Sequence, residues 1–205
     1  MTQLRISISL GFAYLSLFFS IRERLSFRVL GLLVLSVLFH WSSLLFVPFV
    51  VFSNIIKSRN VFLIFLTAIV PSIVIYSSLS LLDYLNPQVS HMLKIAGEMH
   101  ANPFSSRNIT FATILLLGLM NLRRIPETSM PWFYLSMAGL TLWYGLMSVP
   151  VFAHRIFEMT LFSCFFWINS LPKYSRLAAL SLLFIFSVYL VFRMIYIEPL
   201  FGVNR

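Results

Sequence analysis

Charge is scarce in this sequence: only 10% of its 205 residues are charged, and just six of those are acidic. So little charge cannot clothe a soluble domain. Six carboxylates with no pair at useful spacing also leave no acidic cluster for hydrolytic or metal chemistry. Cysteine is reduced to Cys164, inside an apolar segment, which excludes an intramolecular disulfide and a thiolate zinc cluster. With seven glycines there is no glycine-rich phosphate loop, and HExxH and GxSxG are missing too, which argues against a protease, lipase or nucleotide hydrolase. Ten-residue segments of alternating polarity are lacking, so a β-barrel is excluded. Ile6 to Ile21, followed by Arg22-Glu23-Arg24, has no small-residue cleavage site and reads as a span, not as a cleavable signal.

What is present is apolar: 60% of the chain, 17% of it aromatic, in continuous runs. This predicts an all-α, polytopic helical transmembrane protein forming one integral membrane domain over residues 1–205, with about six full spans plus a broken segment around His40. The net charge of +9 lies in loops, where it sets orientation and meets anionic headgroups; nucleic acid is not an expected partner.

Val29 to Phe52 decides the sidedness of the rest. Read straight through, its 24 residues extend ~36 Å and cross once, with His40, Ser42 and Ser43 at mid-depth. Read as broken at His40–Ser43, the chain goes in and comes back. Short cytoplasmic loops collect Lys and Arg. A straight crossing divides the 15 basic residues eight against seven, whereas a hairpin divides them nine against six. The nine cluster in four short loops: Arg22, Arg24, Arg28, Lys57, Arg59, Arg123, Arg124, Lys173 and Arg176. The broken form is therefore expected, with Ser42 or Ser43 capping its second limb.

The remaining spans are expected at Val61–Leu82, kinked at Pro71, then Ile109–Leu122, Met130–Val149, Phe157–Leu171 and Leu177–Ile197. Val151–Arg155 is expected to be a brief turn. Residues 83–108 form the long outer loop, in which Val89, Met92, Leu93, Ala96 and Met99 recur at helical spacing, as in a short helix lying on the membrane. His91 and His100 in that loop are not at ligand spacing and read as solvated. An outward N-terminus with nothing ahead to translocate it suggests the later part of a longer protein.

On this topology Arg5, His40, Arg107 and Arg155 all fall toward the non-cytoplasmic side, where cations at membrane depth are functional suspects. Arg155 and Glu158 share a helix face, either as an ion pair for the headgroup region or as a fork aimed at a phosphate. Arg107 and Arg5 each begin a span and fit snorkelling anchors. His40, between Phe39 and Trp41, is expected neutral at pH 7, either as a base or bonded to a carbonyl at a helix break.

Gln3-Leu4-Arg5-Ile6-Ser7-Ile8-Ser9-Leu10 and Leu35-Ser36-Val37-Leu38-Phe39-His40-Trp41-Ser42-Ser43-Leu44-Leu45 resemble the arginine motif and the A-S-x-x-H-x-S-A-L stretch of the EpsG-like branch of Wzy-type polysaccharide polymerases. Val151-Phe152-Ala153-His154-Arg155-Ile156-Phe157 resembles the family's later arginine segment. The resemblance implies the C-terminal portion of a polymerase in the bacterial inner membrane. Its partners would be membrane lipid, undecaprenyl-diphosphate-linked glycan and other polysaccharide-assembly proteins. It also implies glycosyl transfer between lipid-linked repeat units on the outer face, without metal, nucleotide sugar or other cofactor. His40, Arg155 and Arg5 are then the catalytic candidates, and Arg107, Glu158 and Ser42 the substrate-binding ones. Two rival readings stand beside it: a non-catalytic lipid-binding subunit or transporter fragment, and a truncated, inactive polymerase.

Overall fold

A computed structural model of the chain describes residues 2–23, 25–53, 102–147 and 150–192. Among these every regular element is helical, as long apolar runs in lipid require. Two helices, Leu4–Glu23 and Lys173–Phe192, are long and apolar enough to cross a bilayer by themselves; Phe27–Phe39 and Ser106–Met120 are shorter apolar helices. The expected span Val61–Leu82 and the expected surface helix of the outer loop lie outside the described residues.

Helix α1 (Thr2–Glu23) packs against α2 (Phe27–Phe39), whose first turn is capped by Ser26 accepting from Val29 N–H. At His40 the backbone turns extended, with φ −157° and ψ 117°, and α2 ends. A 3₁₀ helix, Trp41–Leu45, and then α3 (Phe46–Val51) follow. Buried serines on α1 show where these limbs go. Ser16 donates to Val29 O at 2.9 Å and Ser9 to Ser36 O at 2.8 Å, so α2 runs antiparallel to α1. Ser9 also bonds Ser43, while Ser20 donates to Val50 O at 2.6 Å and lies 2.6 Å from the Ser53 hydroxyl. In a straight helix Val29 and Val50 would be ~31 Å apart. Here they meet serines one turn apart on α1, so the chain reverses at His40.

The expected serine cap does not form. Leu45 occupies the N-cap position of α3 without a side-chain bond, because the 3₁₀ turn, opened by Ser43 N–H donating to His40 O at 3.0 Å, runs straight into α3. Ser43 is drawn to Ser9 instead.

The second group comprises α4 (Ser106–Met120), α5 (Met130–Gly145), α6 (Pro150–Leu161), α7 (Cys164–Ile168) and α8 (Lys173–Phe192). Helix α5 is buried on nearly every side, from Met130 through Ser136 and again at Ala138, Gly139, Leu142 and Trp143, so it is the centre of the packing. Gly139 lets α6 approach closely: a Cβ there would lie 2.6 Å from Thr160 Cβ. Val151–Arg155 is helical, not a turn, since Pro150 opens α6. The expected continuous span Phe157–Leu171 is interrupted between Leu161 and Cys164. Thr160 Oγ1 donates to Ile156 O and Phe157 O, both at 3.0 Å, and Ser163 Oγ donates to Thr160 O at 2.5 Å. Hydroxyls competing for helix carbonyls account for the break.

Tyr14 ties the groups together. Its hydroxyl donates to Met159 O at 2.8 Å, and its ring stacks on Trp132 and Phe166. Through Tyr14 the middle of α1 meets α6 and the start of α5. The basic residues separate between the two ends. Arg22, Arg28, Arg123, Arg124, Lys173 and Arg176 gather at one end, where Asn121 donates to Ser175 at 3.2 Å. Arg5, Arg107 and Arg155 lie at the other.

Candidate functional site

The end carrying His40 is built from the first turns of α1, α4 and α6 and the last turns of α2 and α5. Ser105 caps α4 by accepting from Asn108 N–H. Asn108, fully buried, donates to Asn102 O at 3.4 Å and Pro103 O at 3.3 Å, and Tyr144 donates to the same Pro103 carbonyl at 3.1 Å. These bonds fix the approach of the chain to Arg107.

Arg107 is 21% exposed and held on three sides. Its guanidinium lies 4.9 Å from the Phe157 ring centroid, 3.7 Å from the Glu158 carboxylate, and bonds His154 Nδ1. These contacts hold the guanidinium at the helix junction, a departure from the freely extended snorkelling anchor its sequence position favours. Glu158 corrects a second expectation: the ion pair it forms is with Arg107, across the α4–α6 interface, not with its helix neighbour Arg155. Arg155 is left exposed.

The charge of Arg155 reaches His40. Burial, and next the positive charge of Arg155, hold the His40 imidazole below its ordinary 6.5. Arg155, 115 residues further along the chain, lies in the first turns of α6, at the same end of the bundle as the bend at His40. Arg5 stands exposed one turn before Ser9, the residue that bonds both limbs at that bend. The backbone of Ser42 lies in the 3₁₀ turn beside His40, and its side chain is outside the described part of the structure. Five of the six predicted site residues, Arg5, His40, Arg107, Arg155 and Glu158, are thus at one end of the bundle.

The family model described as the EpsG family matches residues 1–203, nearly the whole chain. The chain belongs to the EpsG family. EpsG is a Wzy-like polysaccharide polymerase family, so the role of this protein lies in polysaccharide polymerisation and its setting is the membrane. No match to the chain is found among curated proteins or among solved structures.

In this EpsG-family protein His154 and Trp143 join the site, although sequence reasoning does not select them. His154 accepts from Trp143 Nε1 at 3.4 Å as well as from Arg107, and burial followed by the Arg107 charge holds it below 6.5. Its position next to Arg155 was the available signal; its partners, 11 and 47 residues away, were not visible in sequence.

Proposed function

We propose that this EpsG-family chain is a multi-pass protein of the bacterial inner membrane that joins undecaprenyl-diphosphate-linked repeat units on its outer face. The presence of Arg107, Arg155 and Arg5 at the same end of the bundle as His40 supports this reading. A sugar hydroxyl of the acceptor unit attacks the anomeric carbon of the growing glycan. The bond from that carbon to the diphosphate oxygen breaks, and its electron pair leaves with the lipid diphosphate. His40, neutral at pH 7, takes the hydroxyl proton. Arg155 and Arg107 offset the charge that develops on the leaving diphosphate, for which planar guanidinium donors are suited. Arg5 flanks the acceptor side, and Glu158 acts through Arg107. The single membrane domain spans residues 1–205.

Arg155→Lys tests the assignment. Lysine keeps the charge but not the fork, so polymer yield is expected to fall about tenfold or more, or ~1.4 kcal/mol of transition-state binding, with single lipid-linked units accumulating. A normally inserted Arg155→Lys protein that makes full-length glycan would remove Arg155 from the site.

A further inference from the structure

Two bonds converge on one atom at the α4–α5–α6 junction. Trp143 Nε1, from α5, and Arg107 Nη2, from α4, both address Nδ1 of His154 on α6. An indole N–H and a guanidinium can only donate, so Nδ1 is the acceptor and the proton of the neutral ring sits on Nε2. We propose that His154 is a positioning residue for Arg107: as the neutral Nε2–H tautomer it holds the guanidinium toward the diphosphate, and protonation in mildly acid medium releases Arg107 and slows polymerisation. The proposal rests on the polymerase reading of this site.

The charges around the ring set the direction. Arg107 faces it from α4, and Arg155 and Glu158 flank it on α6. The facing end of α5 supplies Trp143 and Tyr144, which are uncharged at neutral pH, while His40 and Arg5 stand at the same end on α2 and α1. Glu158 is already engaged with Arg107. A proton on Nδ1 would therefore remove the acceptor for both donors and set a second cation against the guanidinium. Burial and Arg107 resist that proton, and the site is assembled while the ring is neutral.

The full chain, purified in detergent with ¹⁵N-labelled histidine, gives a readout that does not depend on turnover. His154 is expected as the Nε2–H tautomer at pH 7, titrating below 6.5, with its midpoint rising in Arg107→Gln. An Nδ1–H tautomer, or a midpoint unmoved by Arg107→Gln, overturns the proposal. Polymerisation of lipid-diphosphate-linked repeat units from pH 5 to 8 supplies the second readout. His154→Leu deletes the acceptor and is expected to lower kcat about tenfold. His154→Gln, whose amide lies one bond too far out, should behave likewise if the leucine variant does not fold. His154→Asn puts Oδ1 where Nδ1 was and cannot be protonated. It is expected to restore activity to within about threefold of wild type, with an acid limb shallower by one proton, the remaining limb being that of His40. Equal loss in the asparagine and leucine variants, or an unchanged acid limb in His154→Asn, overturns the proposal. A wild-type protein that makes no polymer overturns the polymerase reading instead, and the tautomer and its response to Arg107→Gln then decide on His154 alone.

Discussion

Among the described residues, His40 and His154 contribute to the pH dependence of the fold in the same sense. Both imidazoles are held below 6.5 in the folded protein, first by burial and then by an arginine, Arg155 or Arg107. The unfolded chain therefore binds these protons more readily than the folded one. Their contribution to stability is intact above pH 6.5 and is lost as pH falls from there through the depressed values. Thermal unfolding in detergent is expected to show a Tm that declines from pH 7 to pH 5, with a smaller decline in His154→Asn. A Tm that rises over this interval would contradict the assignment. At this scale the sequence shows the participants better than the pairings. Arg155 and His40 stand out as polar residues in apolar surroundings. The partner of Glu158 does not, because Arg155, three residues before it, and Arg107, on another helix, are equally good carboxylate ligands until α4 and α6 are docked.

Helices α5 and α6 approach closely, and their approach depends on an absent side chain. A methyl at Gly139 would lie inside the Thr160 side chain, and Thr160 is held in place by its bonds to Ile156 O and Phe157 O. Gly139→Ala is expected to cost ~1–3 kcal/mol as α5 and α6 spread, and Thr160→Ala in the same chain should return part of it. Thermal unfolding of the single and double variants measures this. An unchanged Tm in Gly139→Ala would mean that the two helices are not in close contact. Spreading would also part Trp143 from His154, so activity is expected to fall with stability. Among the elements, the reversal at His40 is legible because clustered basic loops and a polar break inside an apolar run point the same way. The interruption between α6 and α7 is not, since Thr160 and Ser163 look like ordinary polar residues of a span until their hydroxyls are seen on carbonyls.

For the molecule as a whole, the proposed orientation rests on the division of basic residues between its ends. Arg22 and Arg28 lie over the Phe18 and Phe19 rings, at 4.3 and 3.8 Å, so that end meets the interface with charge backed by aromatic surface. With Cys164 replaced, single cysteines at Ser26, Thr128 and Ser175 are expected to be shielded from an impermeant thiol reagent in intact cells, and one at Ser105 labelled. Equal labelling of Ser26 and Ser105 would contradict the orientation. The buried serines of α1 bear on how such a chain is made. Ser9 and its partner Ser43 are 34 residues apart, which at ~5–20 residues per second is about 2–7 s of synthesis. Until the returning limb docks, a serine hydroxyl in an apolar helix has the carbonyls of its own helix as partners. Docking of that limb exchanges such bonds for the Ser9–Ser43 and Ser20–Ser53 pairs, so the hairpin closes only once its second limb has been made.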